Sequence, residues 1–97
     1  MKTALVDRQD LARVLLFGWL AKEDGRGIWH IYTDVDGAHY ALDQMIMGCN
    51  MQQSVDHLNN DPFDCRSENL EIVSLNELIS RRMQRIRQNF DSVQYPF

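Results

Sequence analysis

Residues 54–74 read SVDHLNNDPFDCRSENLEIVS, and two short apolar stretches there flank a polar loop that cannot bury itself. Val55 precedes the loop, and Leu70, Ile72 and Val73 follow it. Between them stand Asn59, Asn60, Asp61, Pro62 and Asp64, a set that forms turns because Asx side chains bond their own backbone and proline stiffens it. The pattern predicts strand, loop, strand. Ser74 or Asn76 then opens a closing helix, on which Leu75, Ile79, Met83 and Ile86 share one face by helical spacing. Arg81, Arg82, Arg85 and Arg87 occupy its other faces.

Upstream, GIWHIYTDVDGAHYALDQMIMG (27–48) reads as a hairpin followed by a short helix. Ile28 to Thr33 is rich in aromatic and β-branched residues, Asp36-Gly37 is a two-residue turn signal, and His39 to Leu42 forms the returning strand. Asp43 to Met47 supplies a turn or two of helix, stopped by Gly48. Further back, Asp7 is placed to cap a helix over about 8–22, with Leu11, Val14, Leu15 and Leu20 at helical spacing and Phe17 and Trp19 widening the apolar surface. Residues 23–27 end it. The expected architecture is α+β in a single domain spanning 1–97: an N-terminal helix, a hairpin at about 28–42 and a strand-strand-helix unit at about 54–88.

A chain of 97 residues has room for one modest core, and its 44% apolar and 25% charged residues are ordinary for a soluble globular protein. Cys49 and Cys65 lie too far apart for a CxxC pair, so reduced packing residues in a cytoplasmic protein are expected. The opening apolar run breaks after three residues, and nothing approaches the roughly 18 apolar residues of a membrane span, so no membrane partner is expected. The net charge of −4 is unevenly spread: residues 1–74 hold 6 Lys/Arg against 12 Asp/Glu, whereas residues 75–97 hold 4 Arg against Glu77 and Asp91. One basic end on an acidic protein can grip phosphate, with strong dependence on salt.

The run Val55-Asp56-His57-Leu58-Asn59-Asn60-Asp61-Pro62-Phe63-Asp64, continued by Arg66-Ser67-Glu68-Asn69-Leu70-Glu71-Ile72-Val73-Ser74, resembles the HNH endonuclease family, most closely its small phage members. Tyr40-Ala41-Leu42-Asp43-Gln44-Met45-Ile46-Met47-Gly48 is similar to a segment that precedes the motif there, and the likeness spans about 28–88. It implies a ββα-metal finger that hydrolyses a DNA phosphodiester, nicking double-stranded DNA with one divalent cation, Mg²⁺ or Mn²⁺. His57 is then the general base, Asp56 a metal ligand, and Asn69 the residue that holds the loop so that His57 points correctly. The chemistry has need of these parts, since an imidazole near its neutral pKa can deprotonate water and a hard cation can neutralise charge on the leaving oxygen.

Two positions depart from the family pattern. The last motif position, where the family has a His or Asn ligand, is Leu78, and the usual His upstream is Asp43. Asn76 is the remaining candidate for the second ligand, and it reaches the site only if the strand-to-helix connection is two residues shorter than usual. On the closing helix, Arg82 and Arg85 are the expected DNA-phosphate contacts. An alternative follows from Leu78: a catalytically impaired finger, such as a phage-encoded inhibitor that binds a host nucleic-acid-processing complex.

Overall fold

The computed structural model describes residues 3–25, 27–50 and 52–89. In chain order the elements are β1 (Leu5–Val6), a 3₁₀ turn (Arg8–Asp10), α1 (Leu11–Val14), β2 (Leu20–Glu23), β3 (Trp29–Val35), β4 (Ala38–Ala41), α2 (Leu42–Met47), β5 (Gln53–His57), β6 (Asp64–Cys65), a second 3₁₀ turn (Ser67–Asn69), β7 (Leu70–Ser74) and α3 (Leu75–Asn89). The architecture is α+β. No helix among the described residues is long and apolar enough to cross a membrane.

Three small sheets organise the chain. β2, β3 and β4 form an antiparallel meander, β5 pairs with β7 antiparallel, and β1 pairs with β6 parallel. Asp36 and Gly37, with φ of 50° and 82°, make the hairpin turn between β3 and β4, whose backbone twist requires positive φ at both central positions. Gly48 takes φ 65° and ends α2. In the β5–β7 ladder Val55 faces Ile72, Asp56 faces Glu71 and His57 faces Leu70, and α3 follows β7 without a break.

The core sits around α2. Leu42 and Ile46 from α2 meet Val55 of β5, Cys65 of β6 and Leu70 of β7, while Val14, Trp19 and Ile31 pack from outside. The short helix therefore wedges the meander against the finger-like unit of β5, β7 and α3. Val55 and His57 turn toward α2 and Asp56 toward α3, as the alternation of a strand requires.

The expected N-terminal helix fails. The N-terminal helix does not run over 8–22: helical structure ends at Val14, and Leu20–Glu23 is a strand paired with β3 from Tyr32 to Trp29. Tertiary pairing overrides the local helical spacing there, and Thr33 fixes the approach by donating its hydroxyl to the Gly18 carbonyl at 2.7 Å. Leu15, Leu16 and Leu20 are left exposed in consequence. Asp7 caps nothing. Its carboxylate accepts the Ser67 backbone N–H at 2.8 Å, tying the N-terminal segment to the finger loop, and that bond lowers its pKa.

The shared face expected on α3 is present. Leu75, Ile79, Met83 and Ile86 do share a face, but it looks outward, and all four are exposed. The buried position is Leu78, 6% exposed, which points roughly 100° away from that stripe.

Candidate functional site

The loop between β5 and β7 is built by its own polar side chains. Asn69 is 7% exposed and makes three bonds: its side-chain oxygen accepts the Asn59 N–H at 2.9 Å, and its amide donates to the Asn59 side-chain oxygen and the Asp64 carbonyl, each at 2.9 Å. Asn60 adopts φ 65°, a left-handed conformation that Asn tolerates better than most residues. Asp64 is 2% exposed and receives Arg66 through a fork at 2.8 and 2.7 Å plus the Asn59 amide at 2.8 Å. Arg66 holds the Asp64 carboxyl well below the usual carboxylate range. Burial pushes the neighbouring Cys65 thiol up to about 12, so it packs as an inert side chain.

His57 is bound on both ring nitrogens. Nδ1 lies 3.1 Å from the Asp64 carbonyl oxygen, the same oxygen that Asn69 holds, and Nε2 lies 2.9 Å from Asp43 Oδ2 on α2. A carbonyl and a carboxylate are both acceptors, an arrangement that favours the ring protonated on both nitrogens. Burial by itself pushes the His57 pKa down, but the hydrogen bond and charge of Asp43, with the Asp64 and Asp61 backbone, override it and raise the value above 6.5. A cation whose two N–H groups are both engaged has no lone pair for a water proton.

The raised value fixes a pH dependence. Stability from the His57–Asp43 pair is fully present below about pH 6.5, the unfolded value, and is lost as pH rises through the raised folded value. Denaturant midpoints taken from about pH 6 to about pH 9 should fall for the wild type and fall markedly less for Asp43→Asn. A wild-type midpoint that rises over this range would mean a neutral ring.

Asp56 turns the other way and is 2% exposed. Arg85 meets it as a two-pronged fork, with Nη1 to Oδ1 at 2.9 Å and Nη2 to Oδ2 at 2.8 Å, and Arg81 Nη1 adds a third bond to Oδ2 at 3.0 Å. Arg81 also binds Glu71 at 2.9 and 3.2 Å and Glu77 at 3.0 Å. The Arg85 hydrogen bonds hold the Asp56 carboxyl below its ordinary range; burial opposes them without prevailing, and Arg81 reinforces them.

These positions test the donor set that the sequence proposed for a cation. Asp56 and His57 are adjacent in the chain but bond to different helices, α3 and α2. Leu78, not Asn76, lines the cavity of about 680 Å³ that His57 and Asp43 also line, between the meander and the finger. Asn76 is exposed and borders neither this cavity nor the smaller one. Both oxygens of Asp56 already hold guanidinium groups, which repel any incoming cation. Among the described residues no three His, Cys, Asp or Glu side chains come together as a metal site. The donor set does not fit a divalent cation.

The expected phosphate contacts separate as well. Arg85 is committed to Asp56, whereas Arg82 is exposed and makes no ion pair among the described residues. Arg82, Arg85, His57 and Asn60 border a cleft of about 320 Å³ beside α3. Sequence reasoning missed Arg81, which it left on an outer face, and the pairing of Asp43 with His57. The signal for the latter was present, because an acid replacing a histidine beside a retained histidine is a ready partner for it. No family model, curated protein or solved structure matches the chain.

Proposed function

We propose that the chain is a finger of the ββα type that binds and does not cut, acting as an inhibitor that engages a nucleic-acid-processing protein complex. The observation that carries this reading is the double acceptor around His57. With the Asp64 carbonyl on one nitrogen and Asp43 on the other, both ring nitrogens of His57 are engaged, which disfavours its use as a general base. Leu78 supports it, since an apolar side chain stands where the family resemblance calls for a ligand.

The electrostatics favour a basic protein surface over DNA as the partner. Glu23, Asp24, Asp34, Asp36 and Asp43 of the segment 20–48 outnumber Lys22 and Arg26, and the whole chain carries −4. Of the four arginines on α3, Arg81 and Arg85 are already neutralised by carboxylates. An acidic protein of this kind competes with nucleic acid for the same cationic surface.

Plasmid nicking in Mg²⁺ and in Mn²⁺, run beside His57→Ala, tests the reading together with a gel shift of double-stranded DNA at low salt. The expected result is no nicking above background by either protein and no shifted DNA. Nicking by the wild type that His57→Ala abolishes would overturn it and restore the endonuclease. A shift that weakens for every DNA sequence alike in Arg82→Ala, and with rising salt, would point to phosphate binding instead.

A further inference from the structure

We infer that Arg81 and Arg85 take the structural place of a divalent cation in this finger, so that β5, β7 and α3 are joined by two guanidinium groups and the finger folds with no metal. This stands independently of the binding role proposed above.

The register makes the need for a countercharge plain. Asp56 and Glu71 sit directly opposite one another in the β5–β7 ladder. Like charges facing across a strand pair are destabilising, and here one of the two is 2% exposed. Arg81 Nη1 lies between them, 3.0 Å from Asp56 Oδ2 and 2.9 Å from Glu71 Oε2. Arg85 then completes Asp56 from the next turn of the helix. Two arginines four apart on one helix face repel one another, so the pair is stable only with carboxylate between them.

Packing alone joins α3 to the finger weakly. A two-stranded ladder is marginal by itself, and Leu78 is the only buried side chain among those described on α3. Its apolar stripe of Leu75, Ile79, Met83 and Ile86 faces outward, so the charged contacts carry the junction. They also close it to metal, because three N–H groups are seated on Asp56 and two positive charges stand within 3.0 Å of its oxygens.

Thermal melts followed by circular dichroism test the inference with four samples. Wild type in EDTA and wild type in millimolar Mn²⁺ should melt together. Arg81→Met/Arg85→Met should melt lower by roughly 10 °C or more, or fail to fold. Arg82→Met, which changes the same residue type on the same helix outside the cluster, should melt with the wild type. A wild type that Mn²⁺ stabilises clearly over EDTA would overturn the inference, since a site open to metal would then exist. So would a double variant that melts with the wild type, or an Arg82→Met variant that falls as far as the double variant. The wild-type pair of melts decides the question even if the double variant does not fold.

Discussion

Arg85→Leu is expected to cost about 3 kcal/mol of stability, while Asp56→Leu/Arg85→Leu should return to within about 1 kcal/mol of the wild type. The asymmetry comes from burial. Removing the fork leaves a carboxylate that is 2% exposed with one guanidinium in place of two. Removing the carboxylate as well takes away the charge that needed a partner. Arg81 still has Glu71 and Glu77, so it is not stranded by the double change. Urea midpoints of wild type, the two singles and the double form a cycle with a coupling of about 2 kcal/mol or more. If the two single costs simply add, Asp56 and Arg85 are independent and the pairing has been misjudged. A loss near 3 kcal/mol is a large share of the roughly 5–15 kcal/mol that holds most domains folded.

Asn69→Ala should also cost about 3 kcal/mol, for a different reason. Three hydrogen bonds disappear at a buried position, and the Asn59 N–H loses its acceptor. The Asp64 carbonyl keeps His57 as a donor, so the loop loses its shape before the His57 contact breaks. Asn69→Asp keeps the acceptor and loses the donor, and should fall between wild type and alanine. An Asn69→Ala protein with wild-type stability would mean that Pro62 and the Asp61 and Asn59 turns hold the loop without it.

The parts of this fold that could be read from the chain are those fixed by local chemistry. Asp36-Gly37 announced a hairpin because few other residues accept positive φ twice in succession. The short apolar stretches around Val55 and Ile72 announced two strands, and the ladder pairs them. The failures share a cause, which is that long-range contacts decide between equally plausible local patterns. Leu20 to Glu23 carries helical spacing and becomes a strand because β3 offers an edge. Leu75, Ile79, Met83 and Ile86 form the better apolar stripe, yet Leu78 is the residue that is buried, on the side of α3 from which Arg81 and Arg85 reach Asp56. At the candidate site Asp56, His57 and Asn69 were singled out by the family resemblance of the stretch that holds them. Their partners Asp43, Arg81 and Arg85 lie 14 to 29 positions away, and no spacing rule reaches that far.

The parallel pairing of β1 with β6 has a consequence for synthesis of the chain. Asp7 and Ser67, which flank that pairing, are 60 residues apart, so β1 leaves the ribosome long before the strand it joins. At roughly 5–20 residues per second the delay is about 3 to 12 s. During that interval the meander can close on itself, since its strands are neighbours in sequence, while Leu5 and Val6 wait unpaired. The β1–β6 pairing can thus close only after the whole meander has been made, so a strand that precedes the meander in the chain is fixed after it.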